Sequence, residues 1–163
     1  MVKLESDMID LDIPTFGRLK LSYLVADYNG TMAKDGILLP GVSDRLRQLA
    51  ATIELHVLTA DTFGIARDQL QGLPIKLEIL SKNNEAKQKK HYLEKLGADH
   101  VVAFGNGNND RLMLKTARLS IAVIGQEGAS FNAIQAANII VSDILDGLDL
   151  LLHPLRCLAT LRQ

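Results

Sequence analysis

The sequence has no tryptophan, a single cysteine, and aromatic residues at only 4% of its positions. The lone thiol, Cys157, has no partner for an intrachain disulfide and no nearby histidine pair for a zinc site, which sets the expectation of a reduced, cytoplasmic protein. With no indole and few other rings, it lacks the stacking platform that single-stranded nucleic acid requires. An excess of charge is missing too: 18 Lys and Arg against 19 Asp and Glu leave a formal −1, with no basic stripe to meet a phosphate backbone. No stretch approaches the roughly 20 apolar residues of a membrane-spanning helix, and the opening MVKLESDMIDLDI interleaves charges where a secretion signal needs an apolar centre. Nucleic-acid and membrane partners are therefore not expected.

What is present suits one soluble domain over residues 1–163, since 47% hydrophobic residues can fill one sizeable core. Residues 8–13 alternate apolar and polar, Pro14–Gly17 reads as a turn, and 18–26 resumes the alternation and ends apolar. This predicts a β-hairpin whose second arm enters the core. From there helices (41–51, 63–71, 84–97, 109–117, 129–136, 143–152) take turns with strands (53–58, 75–80, 101–104, 119–124, 138–141). That order implies βαβ units, a parallel sheet and helices on both faces, a three-layer Rossmann-like α/β architecture. The runs VVAF, IAVI and NIIV lack polar alternation and read as central strands. The tail after Pro154 is amphipathic and is expected to pack on the body or on a second copy.

In an open parallel sheet, ligands bind beyond the carboxyl ends of the strands, so the polar residues that follow each strand share one edge. Those residues are Asp27-Tyr28-Asn29-Gly30-Thr31, then Thr59-Ala60-Asp61, then Gly105-Asn106-Gly107-Asn108-Asn109-Asp110; a lysine cluster of Lys82, Lys87, Lys89 and Lys90 precedes the last of them. Carboxylates, a hydroxyl and an ammonium gathered in this way suit phosphoryl transfer. A carboxylate can attack phosphorus only when a divalent cation and a fixed positive charge cancel its repulsion from the phosphate oxygens. Taken alone, each piece has a plainer explanation. Asn-Gly is a turn signal, a threonine closing a strand is commonplace, and lysines on a helix are usually solvated. Asp35 and Asp61 fit turn and cap roles, and the four histidines show no ligand spacing.

Taken together, DYNGT, the strand end HVLT, a lysine, and GNGNND resemble the four-motif signature of the haloacid dehalogenase superfamily. Residues 105–145 are similar to the phosphorylation domain of P-type ATPases. The resemblance spans about residues 8–152. It implies a magnesium-dependent phosphatase of the haloacid dehalogenase fold, acting on a phosphorylated small molecule or macromolecule. Asp27 would become phosphorylated, Thr59 and Lys89 would hold the phosphate, and Asp27, Asn29, Asn106 and Asp110 would hold Mg2+. Gly30, Thr31, Ala60 and Asn109 would line the substrate site. Lys87 and Lys90 compete with Lys89 for the site position.

Two departures from the family pattern stand out. Asn29 replaces the acid that protonates the leaving group, so hydrolysis is expected to be slow. Asn106 replaces an aspartate, which is expected to weaken Mg2+ binding or shift the burden to Asp110. Segments 32–58 and 60–88 are consumed by core elements, so no cap domain is expected; specificity would then come from a homo-oligomer, a partner or a large substrate. The alternatives are a non-catalytic phosphate- or metal-binding regulator related to P-type ATPases, and a response-regulator receiver. The receiver is disfavoured because it carries its phosphorylated aspartate in mid-chain.

Overall fold

The computed structural model describes residues 8–163; the first seven residues of the charged N-terminal segment lie outside it. The chain opens with β1 (Ile9–Ile13) and β2 (Gly17–Leu21), an antiparallel pair joined by the Pro14–Phe16 turn. The expected single second arm breaks at Ser22, whose amide donates to the His100 carbonyl 2.9 Å away while its own carbonyl accepts from Glu54 N. Among the described residues β2 pairs only with β1, and a separate β3 (Tyr23–Asp27) enters the main sheet. A small hairpin, β4 (Ala33–Lys34) and β5 (Ile37–Leu38), follows, with Asp35 at its tip at φ 52°.

The remaining elements alternate as expected: α1 (Val42–Leu49), β6 (Glu54–Thr59), α2 (Ile65–Gln69), β7 (Lys76–Ile79), α3 (Glu85–Leu96), β8 (Val101–Gly105), α4 (Arg111–Thr116), β9 (Leu119–Val123), α5 (Phe131–Ala136), β10 (Ile139–Val141), α6 (Ile144–Leu152) and α7 (Pro154–Leu161). The six strands of the main sheet run parallel in the order β10-β9-β8-β3-β6-β7. NIIV is therefore an edge strand and not a central one. Among the described residues no strand pairs beyond it, and its second isoleucine, Ile140, is 48% exposed.

Strand alternation sorts the interior into two cores. Leu24, Ala26, Leu55, Val57, Val102 and Phe104 face α1, α6, α7 and the hairpin. Val25, Leu58, Val101 and Ala103 face the layer that contributes Leu93, Met113, Leu114 and Ala133 from α3, α4 and α5. The amphipathic tail is α7, which packs against the body with Cys157 buried. His56 belongs to the second layer. It is 2% exposed, and its Nδ1 lies 2.8 Å from the Tyr92 hydroxyl, so it is a core histidine.

From β3 the chain first builds outward through β6 and β7, and α3 then carries it back across the sheet to β8 on the other side of β3. The strand order reverses between β3 and β8, and a parallel sheet opens a crevice at the carboxyl ends of the two strands that flank such a reversal.

Candidate active site

Asp27 is the last residue of β3. Period-two alternation puts it in phase with Val25 and Tyr23, on the side covered by α3. On α3, Lys89 is four residues before Leu93, and residues four apart share a helix face. Both are buried, so the apolar stripe that docks this helix also carries Lys89 into the crevice. Lys87 is exposed, and Lys90 lies 3.6 Å from Glu94 on the surface. Lys89 is the lysine that meets Asp27.

Lys89 Nζ donates to Asp27 Oδ1 and to Asp110 Oδ1, both at 2.7 Å, and is 1% exposed. Asp110 is fully buried, and its other oxygen accepts from the amides of Asn106 at 3.0 Å and Gly107 at 2.9 Å. It closes a single 3-10 turn (Asn108–Asp110) that folds the GNGNND loop back over the end of β8. Gly105 allows that close approach: a Cβ there would lie 2.6 Å from Asp110 Cγ.

Two carboxylates and one ammonium leave this enclosed cluster one negative charge in excess. Burial, followed by the Asp110 charge, raises the Asp27 carboxyl to about 7, and Lys89 and the Thr31 hydroxyl only partly offset this. Burial disfavours charge on Lys89, but the two carboxylates outweigh that and hold its pKa above the usual lysine range.

Thr59 ends β6 and is 4% exposed; Ala60 follows it. With Asp27, Asn29, Asn106, Gly107, Asn109 and Glu85 they line a cavity of about 370 Å³. Two expectations need correction here. Gly30 and Thr31 do not face this cavity but line a neighbouring one of about 290 Å³. The Thr31 hydroxyl, 1% exposed, lies 3.2 Å from both Asp27 Oδ2 and Asn106 Oδ1. Asp110, expected to hold the cation, lies outside this cavity's lining, fully buried with Lys89 on Oδ1 and the two loop amides on Oδ2.

The remaining donors fit a divalent cation. Thr31 has one hydroxyl proton for two acceptor oxygens, so at least one of Asp27 Oδ2 and Asn106 Oδ1 has a lone pair to spare. The Asn29 carbonyl is on the same loop. Among the described residues there is no cluster of three acidic, histidine or cysteine ligands. The candidate set is one carboxylate with amide and main-chain oxygens, which suits a hard ion such as Mg2+ that retains several waters.

Sequence reading missed two carboxylates. Glu85 opens α3, lines the cavity, and accepts from Asn109 Nδ2 at 2.8 Å. Glu127, in the loop after β9, flanks Gly30, where a Cβ would come within 2.6 Å of its Oε2 and closer still to Asn106 Nδ2. That loop is fastened to Asn106, whose Nδ2 donates to the Gly128 carbonyl and whose carbonyl accepts from Ser130 N. A signal existed for Glu85, since it stands one helical turn before Lys89 on the same face. None existed for Glu127, because loops have no period. Asp61 caps α2, accepting from Ala66 N at 3.1 Å.

A parallel sheet with a carboxylate and a lysine at its switch point defines an α/β protein with a polar crevice, and the chain belongs to the haloacid dehalogenase-like hydrolases, whose family model matches residues 53–146. An uncharacterized protein of Methanocaldococcus jannaschii is 54% identical over 63 residues, 39% of this chain and 68% of that one. The phosphoserine phosphatase of Haemophilus influenzae is 34% identical over 76 residues, 45% of this chain but 24% of that one, so the chain spans about a quarter of that relative. The cobalt-bound deoxy-D-mannose-octulosonate 8-phosphate phosphatase of the same organism shares the fold, with a TM-score of 0.68 at 18% identity over 82% of this chain and 88% of that one. The catalytic domain of the CPx-ATPase CopB aligns with a TM-score of 0.58 at 26% identity, over 70% of this chain and 45% of that one.

Proposed function

We propose that the chain is a cap-less, single-domain, magnesium-dependent phosphatase that hydrolyses a phosphate monoester through an aspartyl-phosphate on Asp27. The observation that carries this reading is the buried contact of Lys89 with Asp27, beside a cavity that exposes the same carboxylate. A carboxylate with an ammonium at 2.7 Å is oriented, partly neutralised and open on one side, which is what attack on phosphorus demands. Mg2+, held by Asp27, Asn106 and the Asn29 carbonyl, would neutralise charge on the transferring group.

The chain's own groups do the rest. Asp27 supplies the attacking oxygen, and Thr59 donates its hydroxyl to the phosphate. Lys89 keeps the carboxylate aimed and screens it from the incoming charge, while Asp110 fixes Lys89 and the loop that carries Asn106. The Asn29 amide can neither protonate a leaving group nor activate water, so either turnover is slow or another group takes that role. The solved phosphatases of like fold and the phosphoserine phosphatase point to a small phosphorylated metabolite as substrate, and a second copy could cover the open site. A cytoplasmic location accords with the lone thiol.

Phosphate release from p-nitrophenyl phosphate with Mg2+ should be abolished by Asp27→Asn, and acid quenching should trap a phosphoprotein in the wild type alone. If wild type and variant are equally inert across a panel of phosphate esters, the chain is instead a phosphate- or metal-binding regulator, the reading that Asn29 and Asn106 favour.

A further inference from the structure

The cavity that exposes Asp27 has a second carboxylate that none of these steps uses. Glu85 and Lys89 lie four residues apart on one face of α3, so Glu85 stands about one turn, about 6 Å along the axis, nearer the helix start at the open edge of the sheet. Among the described residues that line the cavity, only Asp27 and Glu85 are carboxyls able to hold and release a proton, and Asp27 is committed to phosphorus. Asn109 holds the Glu85 carboxyl at 2.8 Å through Oε2. Glu127, the other carboxylate nearby, lies behind Gly30 and lines the adjoining cavity.

Building on the aspartyl-phosphate reading, we infer that Glu85 is the general acid and base of the reaction, replacing the carboxyl absent at position 29. In the first step an Asp27 oxygen bonds to phosphorus as the ester P–O bond breaks, and the Glu85 carboxyl gives its proton to the leaving oxygen, releasing the alcohol. In the second step the Glu85 carboxylate takes a proton from water, whose oxygen bonds to phosphorus as the Asp27–phosphorus bond breaks. Hydrogen phosphate leaves, and Asp27 is again a carboxylate and Glu85 a carboxylic acid. The substrates selected are esters of poor leaving groups, alkyl phosphates above all, since those gain most from a proton donor.

The test compares wild type, Glu85→Gln and Glu85→Gln/Asn29→Asp on p-nitrophenyl phosphate and on a simple alkyl phosphate, with Mg2+ present and thermal unfolding checked first. General acid catalysis is worth about 10²–10⁴-fold, so Glu85→Gln should slow single-turnover phosphorylation of Asp27 by about that factor with the alkyl ester. With p-nitrophenyl phosphate, which needs no proton, the loss should be under about tenfold. The phosphoprotein from that substrate should persist in Glu85→Gln, because water lacks its base, and Asn29→Asp should restore at least part of both steps. Equal losses on the two esters, or unchanged rates on both, would overturn the assignment. If no phosphoprotein forms in the wild type with either ester, it is the underlying Asp27 chemistry that fails; normal formation and decay in Glu85→Gln removes Glu85 alone.

Discussion

Replacing Asp27 by asparagine should stabilise the metal-free protein, by an amount that grows with pH. Asp27 is 8% exposed and shares a single ammonium with a fully buried second carboxylate. Its carboxyl is raised to about 7 from 3.8 in the unfolded chain. The folded state thus binds more protons than the unfolded one between those values, and a group raised in this way stabilises at low pH and loses its contribution as pH climbs. Each tenfold change in proton affinity is worth about 1.4 kcal/mol, so the loss reaches about 4 kcal/mol between roughly pH 4 and 7. Asparagine has no proton to lose, and its amide can still accept from Lys89. Urea unfolding in EDTA from pH 4.5 to 8 should show the variant's advantage widening through this window and levelling above it. In thermal melts this amounts to roughly 8–16 °C for a chain of this size. His56, buried and lowered by desolvation, titrates alike in both proteins and cancels in the difference. Mg2+ added to the wild type should narrow the gap. Parallel stability curves for the two proteins would refute the excess-charge account of the site.

The other charge in the cluster behaves oppositely. Lys89→Met leaves two carboxylates enclosed without a cation and should cost about 3–5 kcal/mol at pH 7 by urea unfolding, with less lost at pH 5, where Asp27 takes up a proton. Asn106→Asp returns a negative oxygen beside Asp27, and Mn2+ affinity measured by calorimetry should rise about tenfold, or about 1.4 kcal/mol. Gly105→Ala sets a methyl 2.6 Å from Asp110; overpacking of this kind costs about 1–3 kcal/mol, and phosphatase activity should fall further than stability because Asp110 holds Lys89.

Period carried most of what could be read in advance. Alternation in YLVAD sets Asp27 on the same side as Val25; Lys89 is preferred only through the family resemblance, with Lys87 and Lys90 competing, although its four-residue step to the buried Leu93 is the phase that separates it from them. The same logic failed where burial was inferred without topology. The strand IIV of NIIV is as apolar as VVAF, yet it sits at the sheet edge, because a strand's neighbours are set by long-range order and not by its own composition. The break at Ser22 was equally hidden, since the alternation runs through it unchanged and only the hydrogen bonds to His100 and Glu54 divide β2 from β3. In the GNGNND loop the residue types announced chemistry, but not which oxygen faces what. Asp110 was expected at the metal and is instead closed in by Lys89 and two amides, an outcome decided by one 3-10 turn.

That closure explains why the charge set cannot be simplified. A buried ion pair can often be exchanged for apolar side chains at no loss of stability, and the stripe of Val25, Leu58 and Leu93 would accept leucine and methionine at positions 27 and 89. Position 110 would not, since removing its carboxylate strands the amides of Asn106 and Gly107 at about 1–3 kcal/mol for each buried donor left unmade. Asp110 must therefore stay, and once it stays it needs Lys89. With Asp110 and Lys89 balancing each other, Asp27 is the one charge the cluster does not require. The fold holds the Asp27 carboxylate at a cost in stability, and a bound cation is the ligand whose charge removes that cost.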